Sequence, residues 1–125
     1  MLNTVNAKSV AANLADLWSP RVIGEVDDFY IKVAKVKGTF GRHAHAHEDE
    51  MFFVLQGSLR LIMDAGDVVL NEGDMHVVPK GVSHNPVAED ECLVLLVERK
   101  STLHSGDTKN AYTRSIEEQL SDEQS

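Results

Sequence analysis

The stretch that decides the fold is His43–Glu50, which reads HAHAHEDE. Side chains two residues apart on a β-strand point to the same face, so His43 and His45 can direct two imidazoles at one point. Glu50 comes five residues after His45 and would face the other way on an unbroken strand. We therefore expect a bend or bulge around residues 47–49, after which Glu50 joins the two histidines.

A second cluster ends at His84, which opens a predicted strand shortly after the turn residues Pro79 and Gly81. Proline and glycine at this spacing predict a tight connection. Short connections between antiparallel strands can bring His84 back to the first cluster. The two clusters together predict one polar site formed by distant parts of the chain.

Both clusters match motifs of a known superfamily. The matching positions are His43, His45, Glu50 and Gly57 in the first motif, and Gly73, Pro79, Gly81 and His84 in the second. On these residues the chain resembles the cupin superfamily, and in particular small single-domain bacterial cupins, over about residues 25–100. Lys37 and Ala88 stand where the motifs have a glycine and an asparagine.

The resemblance implies a fold, a set of metal ligands and a quaternary structure. The fold is an all-β double-stranded β-helix, the cupin jelly-roll barrel, here with a short N-terminal helical segment. The implied metal ligands are His43, His45, Glu50 and His84, which would bind one divalent metal ion. Cupin barrels often pair, so the resemblance also implies a homodimer.

The chemistry of this ligand set is consistent with the resemblance. Three neutral imidazoles and one carboxylate leave one or two positions of an octahedral ion open. Such a site favours Mn, Fe or Ni and can accept Zn, Co or Cu. A closed structural zinc site is not expected, because no thiolate is among the ligands. Open positions allow a metal to bind water, O₂ or a chelating substrate.

The remaining pattern predicts a small barrel with two flanking segments. Short strands separated by turns at intervals of about ten residues are typical of a β-sandwich or barrel. Apolar residues at helical spacing predict one short helix within Ala7–Trp18. We expect an N-terminal segment of residues 1–24 that packs on the barrel, a barrel of residues 25–100 and a tail of residues 101–125. Glu89–Glu91 is predicted to be a turn between two strands.

Inward-facing apolar side chains near the cluster are candidates for the lining of a substrate pocket, and ordinary core packing explains them equally well. These candidates are Phe52, Val54, Leu61 and Met63. Arg42 and Arg60 alternate away from the inward face. No buried cation is therefore predicted to meet a carboxylate substrate.

Three other histidines have less specific interpretations. His47 is expected to face solvent or to lie beside the ligands, since the spacing to Glu50 favours the other two histidines. His76 is expected to be a partnered barrel residue. His104 lies in the tail and is expected to be solvated.

Composition excludes several classes of function. The 125 residues carry a formal net charge of −8, which disfavours binding to nucleic acid or to anionic membranes. The single cysteine, Cys92, lies in an apolar run and is expected to be a buried, inert thiol. We see no secretory signal and no apolar stretch long enough to span a membrane, so the cytoplasm is the expected location.

These observations lead to two functional hypotheses. The first is a small metalloenzyme that acts on a small chelating organic substrate, by dioxygenase-like chemistry or by isomerisation or decarboxylation. The second is a non-catalytic module that binds or senses a metabolite in the barrel. No residue stands out as an independent acid or base, which slightly favours chemistry with O₂.

Overall fold

The computed structural model describes residues 4–106 and 110–120. Within these ranges the fold is almost entirely antiparallel β-structure, so the predicted all-β jelly-roll class is confirmed. The elements are α1 (Ala7–Ala12), β1 (Arg21–Val26), β2 (Phe29–Thr39), β3 (Glu50–Gln56), β4 (Ser58–Ile62), β5 (Val68–Asn71), β6 (Met75–Val78), β7 (Asn85–Arg99) and α2 (Ile116–Leu120).

Strand β7 joins the two halves of the barrel. One set of strands has the order β1-β2-β7-β3-β6, and β4 pairs with both β5 and β7. Residues 85–87 of β7 pair with β4, whereas residues 93–98 pair with β3. A single strand of 15 residues thus contributes to both halves and places their inner faces opposite each other.

The acidic run Glu89–Glu91 is not the predicted turn. It lies inside β7, where Val36 pairs with Cys92 and Gly38 pairs with Ala88, so one residue of β2 stands opposite three of β7. The run is therefore a bulge, and its three side chains are exposed while the pairing with β2 continues on both sides. The prediction was wrong because long-range pairing outweighs the local preference of a charged run for a turn.

The core lies between the inner faces of the strands. Strand β3 alternates between buried and half-exposed side chains, and Phe52 and Val54 share the buried face with Glu50, as expected. Cys92 is fully buried, and burial raises the pKa of its thiol to about 11, as expected for an inert group.

The N-terminal helix is shorter than the predicted range. Helix α1 begins after Asn6, whose side chain accepts the Ser9 amide, and it ends at Ala12. Ala11 and Leu14 pack in a small apolar cluster outside the main core. Trp18 lies beyond the helix with a φ of 58°, and its indole N–H donates to the carbonyl of Lys37 at 2.8 Å.

The chain on either side of the barrel packs against it. Strand β1 begins at Arg21 and pairs with β2, so the sheet starts slightly before the expected boundary at residue 25. Beyond β7, the tail returns to the barrel, where the Asn110 amide donates to the carbonyl of Phe40 at 2.9 Å. Neither helix in the described ranges has the length and apolar character that crossing a membrane requires.

Candidate metal centre

The backbone brings two distant histidines together. His43 and His84 form an isolated antiparallel bridge, and each amide donates to the other's carbonyl at 2.9 Å. Gly81 makes the preceding turn at a φ of 81°, which an L-residue rarely adopts, and its amide donates to the carbonyl of His45 at 2.8 Å. The Pro79–Gly81 turn therefore holds the first cluster as well as positioning the second.

Glu50 reaches the histidines because the chain bends between them. Residues 46–47 form the bend, and β3 starts at Glu50 with its side chain turned into the barrel. The loop is held by Asp49, whose carboxylate accepts the Lys80 amide at 2.8 Å. The bend begins one residue before the expected range of 47–49. After it, the side chains that face into the barrel start again at Glu50, as expected.

Four side chains converge on one point. His43, His45, Glu50 and His84 each offer one nitrogen or oxygen, and these atoms all lie within 4.8 Å of one another. The Nε2 atoms of His45 and His84 lie 3.4 and 3.3 Å from Oε1 of Glu50. All four residues are at most 6% exposed. The structure thus brings together the whole predicted ligand set in a buried place.

Hydrogen bonds fix the tautomers of two rings. Nδ1 of His43 lies 3.1 Å from the carbonyl of Gly41, and Nδ1 of His84 lies 3.0 Å from the carbonyl of Val82. A carbonyl can only accept, so both Nδ1 atoms carry the proton and each neutral ring has its lone pair on Nε2. This arrangement is typical of metal-binding histidines.

Burial and neighbouring charges favour the protonation states that a metal needs. Burial lowers the pKa of His43 to about 4, with a further contribution from His84. Burial alone would raise the pKa of Glu50, but the neighbouring side chains of His45, His84 and Glu98 hold it well below its ordinary value. His43 is therefore neutral and Glu50 ionised at neutral pH.

The donor set fits a divalent cation. A neutral Nε2 and a carboxylate oxygen both present lone pairs, and at the separations found here they repel unless a proton or a cation lies between them. Nε2 of His45 is buried without a hydrogen-bond partner among the described residues. Three nitrogens and one oxygen with no thiolate suit several divalent metals, and they do not select one of them.

A cavity with aromatic walls opens next to the cluster. Its cavity volume is about 40 Å³, room for roughly three water molecules. His43 and Glu50 line it together with Trp18, Phe40 and Phe52. The candidate ligands therefore face a small pocket whose walls are mostly aromatic and aliphatic.

Of the four predicted pocket residues, only Phe52 lines this cavity. Val54 and Leu61 are fully buried in the core, and Met63 packs against that core. The structure therefore places Val54 and Leu61 in the packed interior, and the partly buried Met63 against it. The aromatic walls are completed by Trp18 and Phe40, which have no regular spacing in the sequence.

Comparison with known proteins identifies the family. The family model for the cupin domain matches residues 29–98, more than half of the chain. The chain belongs to the cupin family. The Bacillus subtilis protein YdbB is 30% identical over 76% of this cupin and 85% of its own length.

Two further relatives are informative. A cupin-2 domain protein from Shewanella frigidimarina has a crystal structure that matches with a TM-score of 0.75 and 38% identity, over 78% of this cupin and 95% of that chain. A 3-hydroxyanthranilate 3,4-dioxygenase of Aspergillus fumigatus is 26% identical over 70% of this cupin and 49% of its own length. The cupin thus spans about half the length of that curated dioxygenase.

The other histidines of the cupin occupy three different environments. His47 is exposed, and His76 is partly buried on β6; neither belongs to the converging group. His104 is not solvated as expected, because it lines the cavity and its ring packs on Phe40 with centroids 5.0 Å apart. The error arose because the tail folds back over the barrel, and no local pattern in the sequence indicates that return.

A buried ion pair beside Glu50 was also missed. Lys32 and Glu98 are at most 3% exposed, and Lys32 Nζ lies 2.6 Å from Oε1 of Glu98 and also donates to Gln119. Glu98 pairs with Glu50 across β7 and β3. Arg42 and Arg60 are exposed as expected, yet Lys32 is a buried cation, already paired. Alternation along β2 places Lys32 on the same face as Ala34, and this signal was available in the sequence.

Proposed function

We propose that this cupin is a metal-dependent, dioxygenase-like enzyme that oxidises a small hydroxylated aromatic compound. The observation that carries the proposal is the convergence of three imidazoles and one carboxylate in the wall of an aromatic cavity. The cluster suits a metal, and the aromatic side chains beside it suit contact with a flat apolar ring.

The proposed ligands are His43, His45, Glu50 and His84, and the metals we expect first are Mn, Fe and Ni. When bound, such an ion supplies a Lewis acid that favours ionisation of a substrate hydroxyl, and a redox-active ion can also exchange electrons with O₂. The carbonyls of Gly41 and Val82 orient two of the rings, so that their lone pairs face the same point.

In this proposal the cavity walls contact the ring of the substrate and exclude water. Phe40 and Phe52 contact the cluster through edge-on packing against His43 and His84, at centroid distances of 5.0 and 5.8 Å. Trp18 extends the same wall, with its ring 5.3 Å from that of Phe40. Aromatic rings pack favourably with one another, so these walls favour an aromatic substrate over a sugar or a flexible acid.

The relatives support the same reaction class. The curated Aspergillus relative is named as a dioxygenase of a hydroxylated aromatic acid. No Lys or Arg lies among the described residues that line the cavity, so we propose a substrate without a carboxylate buried against a cation. A neutral phenolic compound is therefore the first choice here.

The proposal is tested with protein that is stripped of metal and reloaded separately with Mn²⁺, Fe²⁺ and Ni²⁺. Oxygen uptake is measured with catechol, hydroquinone and 3-hydroxyanthranilate. We expect at least one metal and substrate pair to consume one O₂ per substrate and to give a product that carries both oxygen atoms.

Variants show whether the proposed site carries the reaction. His45→Ala should lower both metal content and turnover by at least about 100-fold. Loss of a residue that only hydrogen-bonds to a metal ligand already costs about 10- to 100-fold, so loss of a ligand itself should cost more. His47→Ala is the matched control, since His47 is exposed, and it should retain both. Binding without turnover for every metal would contradict the proposal and favour a binding module, and turnover without O₂ consumption would favour isomerisation or decarboxylation.

A further inference from the structure

The cavity offers few hydrogen-bonding groups to a ligand. Four of the side chains that line it carry such groups, namely Trp18, His43, Glu50 and His104. The indole N–H of Trp18 already donates to the carbonyl of Lys37, and two others belong to the proposed metal site. His104 is therefore the lining side chain that remains to bind a polar group of a ligand.

The tautomer of His104 is set by the backbone. Its Nδ1 accepts the amide N–H of Arg114 at 2.9 Å, so that nitrogen carries a lone pair. Burial lowers the pKa of the ring to about 3, which keeps it neutral. The ring proton consequently lies on Nε2, on the edge that faces away from the Arg114 amide. None of the described residues accepts a hydrogen bond from it.

The segment that carries His104 is fixed against the proposed metal site. A Cβ added to Gly106 would lie 1.9 Å from the carbonyl oxygen of Ala44, which stands between His43 and His45 in the chain. Ser105 is hydrogen-bonded to Thr113 at 2.8 Å. These contacts hold the ring of His104 against Phe40 in a defined orientation, so the donor is preorganised.

We propose that His104 is the substrate-orienting residue of the cavity, and that the substrate carries a hydrogen-bond acceptor away from its metal-binding hydroxyl. This inference rests on the proposed function, because it assumes that a phenolic oxygen faces the metal. Nε2–H donates to the acceptor, and the aromatic walls hold the ring between the two polar ends. His104 thereby selects among phenols of similar size.

The experiment measures binding without turnover. Protein loaded with redox-inert Zn²⁺ is titrated calorimetrically with 3- and 4-hydroxybenzaldehyde and with 3- and 4-ethylphenol, which match them in size but lack the acceptor. In the wild type, we expect at least one aldehyde to bind more tightly than its ethyl counterpart. In His104→Phe, the aldehyde-to-ethylphenol affinity ratio should fall by roughly 5-fold, the effect of one lost neutral hydrogen bond.

Controls separate this inference from the proposed function and from folding. His76→Phe makes the same exchange outside the cavity and should keep the wild-type ratio. Ring ¹⁵N–¹H correlation spectra of the wild-type Zn²⁺ protein should show the Nε2–H tautomer of His104 and a shift of that proton when the preferred aldehyde binds. This measurement decides the matter even if His104→Phe does not fold.

Two results would overturn the inference in distinguishable ways. An equal affinity ratio in the wild type and in folded His104→Phe, or an Nε2–H signal that the aldehydes leave unmoved, removes the role of His104 alone. Failure of all four phenols to bind removes the proposed phenolic substrate, and the role of His104 with it.

Discussion

The chemical role open to a histidine ring in this chain depends on the backbone group that orients it. His43 and His84 are oriented by backbone carbonyls through Nδ1, and His104 is oriented by a backbone amide through the same atom. A carbonyl at Nδ1 leaves a lone pair on Nε2, whereas an amide at Nδ1 leaves the ring proton on Nε2. One main-chain group therefore decides whether a ring can bind a metal or donate to a ligand.

The depressed pKa values predict how the metal-free protein responds to acid. Burial lowers the pKa of His104 to about 3 and that of His43 to about 4, both below the ordinary value of 6.5. At pH values between the lowered pKa of each folded ring and its ordinary value, the unfolded chain binds protons that the folded chain does not. The free energy of unfolding therefore falls as the pH falls below about 6.5. Each ring contributes a slope of up to about 1.4 kcal/mol per pH unit.

Urea denaturation in the presence of a chelator, at several values between about pH 7.5 and about pH 4.5, measures this slope. His104→Phe should make the slope shallower, and His47→Phe should leave it unchanged because His47 is exposed. A free energy of unfolding that stays constant over the whole range would contradict the prediction.

The convergence of the four candidate ligands was predictable because each of them lies in a short motif with regular spacing. His43, His45 and Glu50 are defined by strand alternation and one bend, and His84 follows a turn that proline and glycine make recognisable. His104 could not be found this way, since its position depends on the contact between Gly106 and the distant Ala44 loop rather than on local sequence.

At the scale of elements, the C-terminal helix α2 closes a buried polar cluster. Gln119 accepts from the ammonium of Lys32, and its amide donates to the carbonyl of Arg114 at 3.0 Å. Burial raises the pKa of Glu98 well above its ordinary value, the negative charge of Glu50 adds to this, and Lys32 opposes it. The helix thus completes the environment of a carboxyl that stands directly beside the proposed ligand Glu50.

Removal of one partner from this cluster should destabilise the folded protein. Lys32→Met leaves Glu98 buried without its cation, and we expect it to lower the free energy of unfolding by on the order of 3 kcal/mol near neutral pH. Lys37→Met on the same strand is the control, because Lys37 is exposed and should have little effect. Denaturant titration checks both, and equal stability of the two variants would contradict the assigned role of the pair.

Element boundaries were harder to predict than element types. The strands of the barrel follow their apolar alternation closely, but the sequence of Glu89–Glu91 has the composition of a turn. It is a bulge because β2 pairs with β7 on both sides of it, between Val36 and Gly38. Pairing partners distant in sequence decide such cases, and a single sequence does not reveal them.

At the scale of the whole molecule, the proposed site links parts of the chain that are far apart. The loop before β3, the first residue of β3 and the residue before β7 each supply donors to the cluster. These donors come together only in the folded chain, so an ion that binds them stabilises the fold. The expected homodimer and the cytoplasmic location stay predictions.

Removal of the metal should therefore lower the melting temperature. At a free metal concentration of 100 times Kd, the linkage contributes about 2.7 kcal/mol at neutral pH. The contribution should shrink near pH 5, because ligating histidines must be neutral. Thermal melts with and without chelator at about pH 7.5 and about pH 5 check this; curves that coincide at the higher pH would count against a metal in the folded protein.

The bridge between His43 and His84 has a consequence for metal choice. Two reciprocal main-chain hydrogen bonds of 2.9 Å set the separation of these residues without any contribution from their side chains. These bonds form without an ion, so the backbone separation of the two proposed ligands does not depend on the metal. Ions that require a markedly wider or narrower shell are disfavoured by geometry, even where their intrinsic affinity for imidazole is high.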